Sequence, residues 1–147
     1  FLYFIGIETY FTNTTKLMRV PLRAVVALSG GVDSSVAAAL LVKYGRHVGV
    51  DVVGAAHMTN WSAASEADGA DSSAPPLGCG AEKDLAAAVA DRLRLPFHHC
   101  EFEADFFTLV FRPTVDAFRG GGSANPDCVC NRAIKFDRFA HHARRAF

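Results

Sequence analysis

The stretch Arg23-Ala24-Val25-Val26-Ala27-Leu28-Ser29-Gly30-Gly31-Val32-Asp33-Ser34-Ser35 decides the fold. A short, continuous apolar run that ends at Ser-Gly-Gly reads as a strand buried on both faces, over Arg23 to Leu28. Asp33, Ser34 and Ser35 are of the types that cap a helix, and Val36 to Tyr44 fills that helix with good formers. Gly45 is its expected stop. Val48 to Ala56, β-branched and apolar, reads as a second strand. Strand, helix and strand within about 35 residues form a βαβ unit, right-handed by rule.

Downstream, Thr59 to Gly80 mixes Ala, Ser, Gly, Asp and Pro without periodicity and is expected to be an exposed loop. Glu82 to Leu93 returns to helix, and after Pro96 a third strand covers Phe97 to Phe102. The β-α-β-α-β order predicts an α/β fold with a doubly wound parallel sheet. Glu103 to Phe118 is helical, with Pro113 expected to break it in two. Gly120-Gly121-Gly122-Ser123 reads as a flexible hinge before Asn125-Pro126-Asp127. In the last helix, at about 100° per residue, Ala133, Phe136, Phe139, Ala140, Ala143 and Phe147 share one side. Arg132, Lys135, Arg138, His142 and Arg145 crowd the adjoining side.

At 147 residues the chain is long enough for one domain with a self-sufficient core. Half the residues are hydrophobic and a fifth charged, which excludes wholesale disorder. Fifteen basic residues balance fifteen acidic ones, so net charge gives no sign of a nucleic-acid partner. From Asn131 to Phe147 five Lys/Arg stand against one acid, Asp137; such a face alone is usually just solvated, and only its place beside Asn125 to Cys130 raises it as a nucleic-acid contact. Four cysteines are too sparse for a secreted disulfide scaffold and fit a reducing compartment. No apolar run reaches the ~18 residues of a membrane span, so no membrane role is expected. Residues 1 to 18, aromatic and Thr-rich, are either a targeting segment or sequence upstream of an initiator at Met18. Both ends look cut, and the chain is expected to be the N-terminal part of a longer protein.

Ser29-Gly30-Gly31-Val32-Asp33-Ser34-Ser35 lies directly between a strand and a helix. The glycines permit a tight turn and a close backbone approach to a ligand, and a helix N-terminus favours an anion. Phosphate or pyrophosphate is the natural occupant, although a Gly-Gly turn before a capped helix is the plain alternative. Neither the Walker A pattern nor G-x-G-x-x-G is present. Asp33 repels phosphate unless Mg²⁺ stands between them, which favours a nucleotide–metal complex. Cys128 and Cys130 with Cys79 or Cys100 fit no common zinc spacing, and no metal set is read. Cys100 is expected in the core, and His98-His99 and His141-His142 are expected to be exposed surface pairs. Cys130, near the start of a basic helix, is expected to have a lowered pKa.

These residues carry a resemblance. SGGVDSS after a first strand resembles the PP-loop of the ATP pyrophosphatases, whose domain is adenine nucleotide alpha hydrolase-like. With Gly54-Ala55-Ala56-His57-Met58-Thr59-Asn60-Trp61, Cys79-Gly80-Ala81-Glu82-Lys83-Asp84 and Asn125-Pro126-Asp127-Cys128-Val129-Cys130-Asn131-Arg132-Ala133-Ile134-Lys135-Phe136 in order, the chain resembles the tRNA-specific 2-thiouridylases, bacterial and mitochondrial. The resemblance runs from about Arg23 to the C-terminus. It implies that ATP, with Mg²⁺, adenylates O2 of the wobble uridine of tRNA and that a cysteine persulfide then delivers sulfur to C2.

Carried over by motif, Ala27, Leu28, Ser29, Gly30, Gly31, Val32, Asp33, Ser34 and Met58 hold ATP. Asn125, Pro126 and Asp127 meet the flipped target base, with Asp127 as acid/base residue. Cys130 is one of two catalytic cysteines, joined in a disulfide to a partner expected beyond Phe147, so this stretch alone is not expected to complete a cycle. Arg132, Lys135, Arg138 and Arg145 are candidate phosphate contacts. The resemblance also implies a protein persulfide donor fed by a cysteine desulfurase relay. The long inserted loop and the aromatic leader without an initial Met lead to the expectation of a mitochondrial location, with a cytoplasmic one if the source is bacterial. An amidotransferase-type ligase and a non-catalytic nucleotide- or RNA-binding module are the alternatives. Three departures from the family pattern stand out: Ser123-Ala124 replaces Thr-Pro before Asn125, Ser62 follows Trp61 where an acid is usual, and the loop to Cys79 is longer than in bacterial members.

Overall fold

The computed structural model describes residues 4–7, 21–61 and 79–147. Strands β1 (Phe4–Ile7), β2 (Leu22–Ala27), β3 (Val50–Thr59) and β4 (Phe97–Glu101) form one sheet in the order β1-β2-β3-β4. β2, β3 and β4 are parallel, and β1 lies antiparallel on the edge of β2. The three parallel strands stand within two or three residues of their predicted places. β1 falls in the 1–18 stretch, where no strand was expected; the rest of that stretch lies outside the described residues. So do residues 62–78 of the expected loop, whose flanks are strand up to Thr59 and helix from Cys79.

Alternation along the strands sends side chains into two cores. Val26, Leu28 and Ala55 face α1 (Val32–Tyr44) and α2 (Cys79–Arg92) through Ala38, Ala86 and Ala90. Two crossovers of one hand that step in one direction across a sheet must leave both helices on one face, as here. Val25, Ala27, Ala56 and Cys100 face the other way, against two later helices. The first, α3, runs over 103–119, and the second, α4, over 126–146. Helices therefore cover both faces of the parallel strands, the α/β arrangement that the sequence predicts. Among the described residues no helix is long and apolar enough to cross a membrane.

Local geometry corrects several expectations. α1 begins at Val32 with Gly31 as N-cap and no side-chain cap, so Asp33, Ser34 and Ser35 lie inside its first turn. Gly45 does not end it in a left-handed conformation; the chain passes through a 3₁₀ turn, Gly45–Val48, and reverses at Gly49, with φ 78°. Gly45 is small for another reason, since a Cβ there would stand 2.9 Å from the Val50 carbonyl oxygen. Pro113 does not break α3. A π segment, Phe107–Phe111, precedes it and puts Pro113 in the opening turn of Arg112–Arg119, where a missing N–H is tolerated. The glycine run after α3 is no loose hinge. Gly122 N donates to Ala117 O and Gly121 N to Phe118 O, with Gly121 at φ 77°, a closed Schellman turn.

The largest correction concerns α4. Phe136, expected on the core side, is 63% exposed, whereas Ile134 is fully buried. The buried positions are Cys130, Ile134, Phe139 and Ala143, and the step from Ile134 to Phe139 is the one a regular α-helix would not make. It falls within Asn131–Phe139, a π-helical segment whose i→i+5 bonding rotates each residue by less than an α-helix does. Ile134→Ala should therefore cost about 2–5 kcal/mol in chemical denaturation. Phe136→Ala should change stability by less than about 0.5 kcal/mol; the reverse order would restore the regular helical wheel.

Candidate functional site

The loop from Ser29 to Ser35 is closed by its own hydroxyls. Ser34, 3% exposed, donates through Oγ to Gly31 O at 3.0 Å and accepts from Ser29 N at 3.2 Å. Its Oγ also lies 3.0 Å from Ser29 Oγ, and Gly31 N donates to Ser29 Oγ at 3.3 Å. Ser35 Oγ donates to Gly31 O at 2.8 Å. Gly30 sits at φ 82°, and a Cβ there would stand 2.5 Å from Glu82 O and 3.0 Å from Glu82 Cα, in the first turn of α2. Both handedness and space demand glycine at this point. The result is a backbone cradle at the N-terminus of a 13-residue helix with no side-chain cap, the donor set an anion needs.

Beside the cradle, at the C-terminal ends of β2 and β3, is a cavity of about 120 Å³ lined by Ala27, Leu28, Ser29, Ala56, His57, Met58, Glu82 and Phe139. Of the residues predicted to hold nucleotide, Ala27, Leu28, Ser29 and Met58 line it. Gly30, Gly31 and Ser34 form the cradle, while Val32 and Asp33 are exposed on the first turn of α1. His57 stands in the Gly54 to Trp61 segment of the resemblance. It is buried, with Nδ1 2.7 Å from Leu28 O, and so ties β3 to the start of the loop. Glu82 and Phe139 reach the cavity from α2 and α4; Glu82 stands in the Cys79 to Asp84 segment of the resemblance, and nothing local in the sequence marks Phe139.

The second part of the site opens α4. Asn125 is its N-cap, accepting from Cys128 N at 3.2 Å, and Pro126 takes the first helical position. Asn125, Pro126, Asp127 and Cys128 are exposed on this turn, whereas Cys130 is 7% exposed and part of the core. Asn60, just past β3, donates through Nδ2 to Cys130 Sγ at 3.8 Å, and its buried Oδ1 has no partner among the described residues. Asn60 is a site residue whose role no local signal announced, because its partner is seventy residues away.

The expected lowering of the Cys130 pKa is overturned. Burial pushes the thiol up; the charge of Lys135 pulls it down and that of Asp127 adds to the rise. Burial wins because Cys130 lies on the inner face of α4, a full turn past the helix start where the dipole acts most strongly. Arg132, Arg138 and Arg145 are exposed along α4 and Lys135 is half-buried, whereas His142, expected on the same side, turns inward to His98.

Comparison with known proteins bears on this arrangement. A family model described as tRNA methyl transferase HUP domain matches residues 22–147. The chain belongs to that family. Among the relatives of this HUP domain is the tRNA-specific 2-thiouridylase MnmA of Halorhodospira halophila, 43% identical over 129 residues, 86% of this chain and 30% of the relative. The probable mitochondrial tRNA-specific 2-thiouridylase 1 of Caenorhabditis elegans is 39% identical over 127 residues, 85% of this chain and 30% of that one. MnmA of Streptococcus pyogenes serotype M1 is 38% identical over 125 residues, 83% and 30%. The HUP domain chain thus spans about 30% of the length of the curated relatives it matches. The resemblance carried by SGGVDSS and NPDCVCNR is borne out.

Two outcomes follow from the geometry. Gly30→Ala and Gly121→Ala both place a side chain at positive φ, which costs about 1–2 kcal/mol, but only the first meets the Glu82 backbone. Gly30→Ala should therefore be the more destabilising of the two by thermal or denaturant melting; equal losses would contradict the close approach of α2. Because burial raises the Cys130 thiol, its thiolate fraction grows only above the ordinary thiol range. Alkylation by iodoacetamide, followed by peptide mass, should label exposed Cys128 before Cys130 at neutral pH. The pH midpoint of Cys130 labelling should move down in Asp127→Asn and up in Lys135→Met.

Proposed function

We propose that this chain is the nucleotide-binding part of a longer tRNA 2-thiouridylase that adenylates and then thiolates the wobble uridine. The observation that carries the reading is the pair Met58 and Asn60 at the end of β3. Met58 lines the cavity beside the Gly30–Gly31 cradle, and Asn60, two residues or about 7 Å along the strand, holds Cys130 Sγ. One strand end thus joins a phosphate-type cradle to a buried thiol.

In this reading the cradle takes the phosphates of ATP and the cavity beside Met58 takes part of the nucleotide. Asp33, exposed on the first turn of α1, would hold the Mg²⁺ that neutralises phosphate charge. O2 of the uridine attacks the α-phosphorus, and pyrophosphate leaves. The terminal sulfur of a persulfide then attacks C2, and AMP leaves. A second cysteine, outside this chain, attacks the remaining sulfur of the persulfide. The thiolated base is released and a disulfide remains, which an external thiol must reduce.

Cys130 is one partner of that disulfide. Asp127, exposed at the mouth of the same helix turn, moves the proton of the uridine, and Asn125 and Pro126 border the base. A wobble base is within reach only when turned out of its stack. Arg132, Lys135, Arg138 and Arg145 supply backbone phosphate contacts that fix the RNA without reading its sequence. The sulfur arrives from a protein persulfide donor. The mitochondrial location of the Caenorhabditis elegans relative's name and the long segment before Cys79 favour a mitochondrial setting over a bacterial cytoplasm.

The test uses the longer polypeptide with ATP, Mg²⁺, a sulfide donor and unmodified tRNA, with digestion of the RNA and mass detection of 2-thiouridine. Wild type should form the thiolated nucleoside, and Cys130→Ser or Asp127→Ala should lower its yield at least about 100-fold, the size of a lost acid–base or nucleophilic group. AMP and pyrophosphate without thiolated RNA would transfer the fold to an ammonia-using ligase. Absence of both products would leave a binding module.

A further inference from the structure

His98 and His142, expected as members of exposed pairs, are half-buried and face each other. His98 lies on β4 and His142 on α4, and their Nε2 atoms are 2.7 Å apart with the rings nearly stacked, centroids 4.8 Å apart. Cys100, two residues after His98 and so on the same face of β4, turns its sulfur to the same point: the two nitrogens and the sulfur all lie within 4.8 Å of one another. Two imidazole nitrogens and one sulfur, from two elements of the fold, converge in the core behind the proposed active face. Cys128 and Cys130, the cysteines of the site motif, are not part of the set.

We propose that His98, Cys100 and His142 form a site for a borderline-soft divalent cation of the zinc class, which clamps α4 to β4. A mixed imidazole–thiolate set suits zinc, and three protein ligands leave a fourth position for water. A tetrahedral zinc with Zn–N of about 2.0–2.1 Å and Zn–S of about 2.3 Å holds its donors roughly 3.3–3.7 Å apart. From 2.7 Å apart the two nitrogens must therefore separate by roughly 0.6 Å, and from within 4.8 Å the sulfur must draw in by up to about 1 Å, shifts within the reach of side-chain rotation. Arg145, whose charge acts on His142, opposes a cation there. The thiolate formed when the ion displaces the Cys100 proton offsets it. The clamp would hold the helix that carries Asp127, Cys130 and Phe139.

The probe is Co²⁺ alone, added to the metal-free chain under reducing conditions, with Zn²⁺ as competitor. One equivalent should bind and give a thiolate-to-cobalt charge-transfer band, which Zn²⁺ abolishes. The band should survive in a variant where Cys79, Cys128 and Cys130 are all Ser, leaving Cys100 as the sole thiol. It should vanish in Cys100→Ser. His98→Gln and His142→Gln should each weaken binding at least about 100-fold, the upper end of what outer-shell changes cost. These two positions are half-buried, so folding, checked by far-UV circular dichroism, is retained even if Cys100→Ser misfolds. No saturable binding, a band that persists in the histidine variants, or a band lost in the Cys100-only variant would each overturn the proposal. The pair would then be a plain histidine–histidine hydrogen bond, or the metal would belong to other cysteines.

Discussion

Gly30 has no room for a side chain, and that close approach governs the rest of the site. The first turn of α2 presses its Glu82 backbone onto the loop after β2, so one crossover helix shapes the loop that leads into the other. The left-handed turn at Gly30 and the hydroxyl network around Ser34 keep the loop in the one shape that leaves a cradle at the start of α1. His57, bonded to Leu28 O from the neighbouring strand, fixes the root of the loop from below. The geometry of the cradle belongs to three elements at once, not to the glycine motif alone.

The opposite face depends on α4 in the same way. Cys130, Ile134, Phe139 and Ala143 reach the sheet only because a π-helical segment shifts the inner face by one residue between Ile134 and Phe139. π segments are uncommon and often sit at functional sites. Here the shift lets one helix hold the Cys130 thiol against Asn60 at its start and wall the cavity with Phe139 further on. A regular helix would have turned Phe136 inward and carried one of those contacts to solvent.

Burial also sets the chemistry of the thiol. At Cys130 desolvation outweighs the nearby Lys135 and pushes the thiol above its ordinary range. Cys100, deeper still, is pushed up to about 11 by desolvation alone. Among the cysteines whose burial the structure describes, Cys100 and Cys130 are buried and Cys128 is exposed.

Strand positions, helix order and the loop after the first strand were legible in the amino-acid sequence because each rests on neighbours along the chain: apolar runs, glycine pairs, helix formers. The motif SGGVDSS and the segment NPDCVCNR likewise carry their identity locally, and with them the family. What local pattern could not state is which side of α4 faces the sheet, that Asn60 meets Cys130, that His98 meets His142, or that burial reverses the pKa expected for Cys130. Each of these joins residues tens of positions apart, or depends on a helix departing from its regular period. Sequence alone determined the parts and their order. Only the tertiary structure decided their pairing, because contact, burial and desolvation are properties of the packed chain and not of its neighbours in line.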